Sequence, residues 1–199
     1  MRNSYGLSTL AKRLPVRGRG FTLAEILIAL ALMAILAAVL LPTVAGQLLK
    51  GDASKVTQDV QAVRSGSEQF LADIHRYPGK YSDLTKLITT TAATHKDILG
   101  NVYTASMVNK WKGPYITADT TNAVFQTGFG GVITNVFTQT TNTNGVPYLT
   151  VVITGISATD FDKIDEIVDG VPANKTAGLL RFVSAGGIDS TKFLAIPIQ

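Results

Sequence analysis

One acidic residue, Glu25, lies at the start of a strongly apolar stretch near the amino terminus. The residues that follow it, 26–41, read ILIALALMAILAAVLL and include no polar side chain. An ionised carboxylate in hydrocarbon is costly unless a positive charge neutralises it. We therefore expect Glu25 to have a function, namely to pair with a cation in apolar surroundings.

A second group of carboxylates lies in SATDFDKIDEIVDG, residues 157–170. Carboxylate oxygens are ligands that calcium prefers, so this group is a candidate calcium site: Asp160, Asp162, Asp165, Glu166 and Asp169. Their spacing does not match an EF-hand loop, and its central glycine is missing. The alternative is a solvated helix start, which the helix dipole favours.

Other signals of catalysis are weak in this sequence. His75 and His95 have no histidine or carboxylate partner at metal-site spacing, and we expect them to end a helix and to lie in a loop, respectively. GFGG at 128–131 lacks the third glycine of a dinucleotide loop and predicts a tight turn. The absence of cysteine excludes disulfides and thiolate metal sites. We expect no enzymatic activity and no cofactor other than calcium.

The apolar stretch is long enough to cross a membrane. Residues 21–42 would span roughly 33 Å as a helix. Residues 1–20 contain five basic and no acidic side chains, whereas the remainder carries a net charge of −1. This asymmetry predicts a cytoplasmic amino terminus and an external domain after Pro42. The nearly neutral remainder does not favour nucleic-acid binding.

The segment GFTLAEIL, residues 20–27, resembles the type III signal of type IV pilins and type II secretion pseudopilins. In that family a prepilin peptidase cleaves after the glycine and usually methylates the new terminal amine. The resemblance implies cleavage between Gly20 and Phe21 and methylation of Phe21. The glutamate and the helix-interrupting proline of the family match Glu25 and Pro42. An ammonium on Phe21 could then neutralise Glu25, within one chain or between neighbours, and set the axial register of assembly.

Three features leave alternatives open. A signal peptide cleaved near TVAG, residues 43–46, or a plain membrane anchor would use the same apolar stretch, although neither needs Glu25. Major secretion pseudopilins commonly bind calcium, but NKWKGPYI at 109–116 stands where that group has Asp-Pro-Trp-Gly, which weakens the transfer of the site. Trp111 and its neighbours form either a recognition patch or a clamp that fixes the loop to the sheet.

Periodicity predicts one helix over 22–76, kinked and not ended by Pro42, whose second half has a single apolar face: Leu49, Ala53, Val56, Val60, Val63, Ser67, Phe70 and Ile74. Short helices are predicted at 82–89, capped by Ser82, and at 157–170, capped by Ser157 or Thr159. Residues 90–112 are expected to be a loop. Strands are predicted at 123–129, 131–140, 148–156, 178–185 and 192–198.

The predicted fold is therefore α+β and pilin-like, with a long amino-terminal helix packed on an antiparallel sheet. Four segments are expected: a cleaved basic leader (1–20), a transmembrane and assembly helix (21–42), its amphipathic continuation (43–76) and an α+β head domain (77–199).

The expected function is that of a filament subunit, and a type II secretion pseudopilin is favoured over a type IV or competence pilin. An anchored periplasmic binding domain is the alternative from another class. The resemblance implies prepilin peptidase, other subunits, an inner-membrane assembly platform and the membrane as partners. It also implies an inner-membrane location with a periplasmic head, and a periplasmic or cell-surface filament after assembly.

Overall fold

The computed structural model describes residues 20–91, 95–117 and 125–199. The predicted leader, apart from Gly20, and the first two residues of the predicted strand 123–129 lie outside the described residues. The chain divides into two compact units, one that ends at Val44 and one that runs from Ala45 to Gln199.

A single helix, α1, spans Leu23–Ile74 and includes Pro42 in its interior. This confirms the prediction of one long helix that continues past the proline. The helix ends at Ile74 because His75 takes a left-handed conformation, with φ of 59°, and Pro78 follows soon after. His75 therefore ends the helix, as expected from its position.

The first part of α1 is apolar and exposed. Among the described residues this is the one helix long and apolar enough to cross a membrane, and no part of its most apolar window is buried within the protein. Large side chains such as Ile28, Leu36 and Leu41 stand exposed. Because so much exposed apolar surface is unstable in water, this segment requires lipid or other apolar helices around it.

The second part of α1 buries one face in the core of the carboxyl-terminal unit. Seven of the eight predicted positions are buried: Ala53, Val56, Val60, Val63, Ser67, Phe70 and Ile74. The exception is Leu49, whose side chain is 38% exposed. Gly66 also lies on the buried face, where a Cβ atom would stand 2.5 Å from Cγ1 of Ile116. The glycine that weakens the helix therefore permits a close contact with the chain that crosses it.

Six strands form one antiparallel sheet among the described residues: β1 (Phe125–Gln126), β2 (Val132–Ile133), β3 (Thr138–Thr141), β4 (Pro147–Thr154), β5 (Leu180–Ala185) and β6 (Ile188–Pro197). The order is β1-β2-β4-β6-β5, with β3 also paired to β4. The predicted strands at 148–156, 178–185 and 192–198 are confirmed as β4, β5 and β6. The α+β fold with a long helix on an antiparallel sheet is likewise confirmed.

The predicted continuous strand at 131–140 is wrong, because this segment divides into β2 and β3. Its central residues pair with the chain that follows α1 instead of with the sheet. Tyr81 donates its amide hydrogen to the carbonyl of Asn135 at 2.7 Å, and Phe137 donates to Gly79 at 3.0 Å. The predicted strand at 123–129 is also shorter than expected, since a 3-10 turn occupies Gly128–Gly130.

The helices of the head differ at two points from those that the sequence predicts. Helix α2 spans only Ser82–Thr85, and Ser82 does not cap it, because the residue before the helix is Tyr81 and the Ser82 amide donates to Oδ1 of Asn135. Helix α3, Ala105–Lys110, lies inside the predicted loop 90–112. Helix α4, Ala158–Val168, is confirmed with Ser157 as its cap, since the Ser157 hydroxyl accepts from the Asp160 amide at 3.2 Å.

Tyr81 places a phenol in the core without a hydrogen-bond partner among the described residues. Its ring stacks on Phe125 with centroids 5.5 Å apart. Burial, with a smaller effect of the Asp59 charge, raises the pKa of Tyr81 from 10.0 to about 12. An unpaired buried hydroxyl costs roughly 1–3 kcal/mol, so this side chain lowers the stability of the head.

We expect Tyr81→Phe to stabilise the head by about 1 kcal/mol at pH 7, because it removes an unpaired hydroxyl and keeps the ring. Above pH 10 the unfolded chain loses the phenol proton, whereas the folded chain keeps it to about pH 12. Stability should therefore fall as pH rises, by roughly 1.4 kcal/mol per unit from this group, and less so in the variant. Urea unfolding of the detergent-solubilised chain at pH 7 and 11 measures both effects. A less stable variant at pH 7 would contradict this prediction.

Candidate functional site at the start of the long helix

Glu25 caps the first turn of α1. Its Oε2 atom accepts hydrogen bonds from the amide of Thr22 at 2.8 Å and from the Thr22 hydroxyl at 3.0 Å. In return, the Glu25 amide donates to the Thr22 hydroxyl at 3.2 Å. This reciprocal arrangement is a capping box, which satisfies two amide hydrogens that the helix itself leaves unpaired.

The capping box holds the carboxylate close to the predicted cleavage point. Phe21, whose nitrogen would become the new terminal amine, directly precedes Thr22 and is 84% exposed. A positive charge on that amine would lie one residue from the amide that Glu25 already binds. The first turn of a helix also favours a carboxylate through the helix dipole. The site can therefore bind a cation from its own chain or from a neighbour.

The capping role was missed from the sequence. The signal that predicts it is TLAE at 22–25, which has the threonine and glutamate of a capping box at the required spacing of three. The explanation of Glu25 by charge alone is therefore incomplete. Glutamine at this position would keep a capping oxygen but lose the charge.

Four of the five carboxylates of the candidate calcium site have separate partners. Asp160 accepts from Nζ of Lys163 at 2.9 Å, which lowers its pKa, and Asp162 lies 3.4 Å from Nζ of Lys175. Asp169 accepts from the amide of Leu180 at 2.8 Å.

Asp165 is the exception within this group, because it is buried. Its Oδ2 atom accepts from the Asn174 amide at 2.6 Å, whereas its Oδ1 atom has no partner among the described residues. Burial raises the pKa of this carboxyl. Within residues 20–91, 95–117 and 125–199, no group of three histidine or acidic side chains is placed to hold a metal ion. Calcium at this cluster stays a prediction that the geometry does not support.

The loop with Trp111 is held against the helices. The indole Nε1 of Trp111 donates to the carbonyl oxygen of Asp83, in α2, at 3.0 Å. The hydroxyl of Tyr115 donates to Oδ2 of Asp73 on α1 at 3.1 Å, and its ring lies edge-on to Phe70 with centroids 5.6 Å apart. The expectation of a clamp is confirmed, but its predicted place on the sheet is wrong, because the loop crosses the carboxyl-terminal turns of α1.

Asp83 organises the chain at the end of α1 as a buried acceptor. Its Oδ2 atom accepts from the amides of Gly79 and Lys80 at 3.2 and 3.1 Å and from the Tyr103 hydroxyl at 3.2 Å. Its Oδ1 atom lies 2.6 Å from Nδ1 of His95. Burial raises the pKa of Asp83, and burial beside this carboxylate raises the pKa of Tyr103.

His95 lies in a loop, as predicted, but the sequence did not indicate its pairing with Asp83. Its partner Asp83 lies twelve positions earlier in the chain, and no local pattern indicates the pair. The ring is largely buried. The pair has a structural role, because it joins the segment that begins at His95 to helix α2.

Comparison with known proteins supports the interpretation of the amino terminus. Residues 17–41 match the family model described as the prokaryotic N-terminal methylation motif. The chain is 33% identical over 87 residues to the type II secretion system core protein G of Pectobacterium carotovorum, covering 44% of this chain and 52% of that protein. It is 39% identical over 71 residues to the protein of the same name from Klebsiella michiganensis, covering 36% of this chain and 50% of that protein.

A third relative, the type II secretion system core protein G of Escherichia coli K12, is 31% identical over 70 residues, which is 35% of this chain and 48% of the relative. The chain thus spans about half the length of the curated relatives it matches. No solved structure matches the chain. The chain is thus similar in part to proteins with a prokaryotic N-terminal methylation motif, carried here at the start of α1, and to proteins named type II secretion system core protein G.

Proposed function

We propose that this protein is a type II secretion pseudopilin, a structural subunit of a short pilus-like filament. The observation that carries the proposal is Glu25, set in the first turn of an exposed apolar helix directly after the Gly20–Phe21 bond. The matched methylation motif and the named relatives support it.

In the proposed mechanism, prepilin peptidase cleaves the Gly20–Phe21 bond and methylates the Phe21 amine. The apolar part of α1 then leaves the lipid and enters a bundle of like helices. Because the lipid and the helix bundle are both apolar, burial contributes little to the free-energy difference between the two states. Close packing and polar pairing determine that difference. The Glu25 carboxylate neutralises a Phe21 ammonium and so favours one axial register.

The proposed location follows from the same helix. The cleaved chain remains in the inner membrane through the apolar part of α1, with its amino terminus on the cytoplasmic face and its head in the periplasm. Its proposed partners are prepilin peptidase, other pseudopilin subunits and an inner-membrane assembly platform. The role involves no catalysis.

A type IV or competence pilin is the alternative within the family. The absence of cysteine argues against it, because many pilus subunits close a carboxyl-terminal loop with a disulfide, and the named relatives are secretion proteins. Deletion of the gene should therefore leave secreted proteins in the periplasm. Loss of surface fibres or of DNA uptake with normal secretion would favour the alternative.

Mass spectrometry of the intact protein from membranes tests the proposed processing. We expect a chain that begins at Phe21 and carries one added methyl group, because cleavage after a side-chain-free glycine exposes the Phe21 amine. Gly20→Val should remain uncleaved and fail to form filaments, since a branched side chain next to the cut obstructs a peptidase. A wild-type chain that retains its first twenty residues, or that begins near Gly46, would overturn the proposal.

A further inference from the structure

In the segment 77–112 of the head, the exposed charged side chains are all positive. We call this part of the head the basic surface and define it by three of the exposed lysines: Lys86, Lys96 and Lys110. The two acidic residues of that segment, Asp83 and Asp97, are buried. None of the three lysines forms an ion pair within the part of the chain that the structure describes. Exposed apolar side chains, Leu87 and Leu99, occur in the same segment.

The basic surface lies at the carboxyl-terminal end of α1. Two ion pairs join the segment 77–112 to the last turns of the helix. Nζ of Lys112 lies 3.1 Å from Oδ1 of Asp73, and Nη1 of Arg76 lies 3.1 Å from Oδ2 of Asp97. Lys110 and Lys96 lie within two residues of Lys112 and Asp97, so these contacts bring them near the end of α1.

A surface of opposite charge lies on α4. We call it the acidic surface and define it by Asp162, Glu166 and Asp169. Residues 158–170 contain five acidic side chains and one lysine. Glu166 is exposed and forms no ion pair with any described residue. Two apolar side chains beside it, Ile167 and Val171, are exposed as well.

The acidic surface lies near an earlier part of α1 within the same unit. A groove there is lined by Leu49 and Ala53 of α1 and by Glu166 and Ile167 of α4. From Ala53 to Asp73 the helix rises about 30 Å, at roughly 1.5 Å per residue. The two surfaces therefore occupy opposite ends of the part of α1 that the head covers.

We propose that the acidic surface of one copy docks on the basic surface of the next copy in the filament. This inference rests on the proposed function, in which parallel α1 helices assemble with a fixed axial stagger. A stagger close to the distance between the two surfaces brings opposite ends of neighbouring heads together. The contact uses two different patches of one chain, and contacts of that kind produce open polymers when the rotation does not close a ring.

The composition of the two surfaces favours a second copy as the partner. Each combines charge with exposed apolar side chains, and the charges have opposite signs. Exposed ion pairs contribute at most about 1 kcal/mol each, so these pairs alone would not drive assembly. They add selectivity and a dependence on salt, because opposed patches of like charge repel. The Phe21–Glu25 pair and the contact between heads would then both favour the same axial stagger between subunits.

Charge reversal tests the contact directly. We expect Lys86→Glu/Lys96→Glu/Lys110→Glu to reduce filament yield at least about tenfold at low salt, which corresponds to roughly 1.4 kcal/mol per subunit contact. Asp162→Lys/Glu166→Lys should have a similar effect. A chain that carries both sets should regain most of its assembly, because the two reversed surfaces are again complementary. The amount of filament recovered from lysed cells at two salt concentrations provides the measurement.

The outcomes separate this inference from the proposed function. All reversal variants should still insert into the membrane and begin at Phe21, and their thermal unfolding should be close to wild type, since the changed side chains are exposed or half-exposed. Wild-type protein without filaments would refute the proposed function itself. Wild-type filaments with normally assembling reversal variants would refute only the docking. A lysine-reversal defect that the α4 reversal does not repair would indicate another anionic partner, such as lipid headgroups, and would also overturn the docking.

Cysteine cross-linking gives a second readout without native background, because the chain has no cysteine. Glu166→Cys is combined in one chain with a cysteine at 86, 96 or 110. At least one pair should form a ladder of disulfide-linked oligomers in oxidised filaments, since a disulfide needs Cα atoms within about 7 Å. The control is Glu166→Cys with Gln139→Cys, which places the second cysteine on the exposed part of β3. Ladders from the control alone would contradict the proposed contact.

Discussion

Glu25→Gln should insert into the membrane and be cleaved normally, yet fail to enter filaments. Glutamine keeps a side-chain oxygen for the amide of Thr22, so the capping box is largely preserved. What it loses is the negative charge that, in the proposed mechanism, neutralises a Phe21 ammonium in apolar surroundings. An unpaired charge there costs roughly 2–3 kcal/mol or more, which is at least about a thirtyfold loss for each contact. Mass spectrometry of the membrane fraction and the amount of filament recovered from lysed cells measure the two effects.

Matched variants separate the charge from the cap. Thr22→Ala removes the hydroxyl that donates to the Glu25 carboxylate and accepts from the Glu25 amide. It keeps the charge of Glu25. Loss of a cap costs about 0.5–2 kcal/mol of helix stability, so we expect reduced but measurable assembly. Glu25→Ala removes both functions and should resemble Glu25→Gln. If Glu25→Gln assembled as well as wild type while Glu25→Ala did not, Glu25 would serve as a cap alone.

Asp83→Ala should destabilise the head by about 3–5 kcal/mol, the range for removing one member of a buried charged network. The substitution leaves two amides, the Tyr103 hydroxyl and His95 without their acceptor. Trp111 is the single tryptophan of the chain, and its indole donates to the backbone carbonyl of Asp83. Its fluorescence during urea unfolding of the detergent-solubilised chain therefore reports on this region.

Two controls calibrate the effect of Asp83→Ala. Asp83→Asn keeps one acceptor oxygen for the donors at Oδ2, and we expect an intermediate loss. Glu68→Ala removes the exposed pair with Arg64, one helical turn away, which should change stability by less than about 0.5 kcal/mol. A loss for Asp83→Ala no larger than that for Glu68→Ala would show that the buried carboxylate does not organise this region.

Some interactions in the head could not be inferred from local sequence, because their partners are distant in the chain. The strand predicted over 131–140 is continuous by composition, but the segment 79–81 pairs with its centre and divides it. The short α2 and the unexpected α3 depend in the same way on contacts with other segments. Helices of four to six residues have little intrinsic stability, so tertiary contacts decide where they form.

The sequence by itself determined the features that depend on local chemistry and periodicity. These are the apolar segment with Glu25, the long helix through Pro42, its buried face from Ala53 to Ile74, and three of the strands. Each follows from a repeating pattern or from a short motif with fixed spacing, so a single stretch of chain contains all the information.

Tertiary structure alone decided which charges meet. It buried Asp83 against His95 and paired Asp160 and Asp162 with separate lysines. Charge pairing depends on distance in space and on exposure to solvent, and neither is encoded in the spacing of residues along the chain.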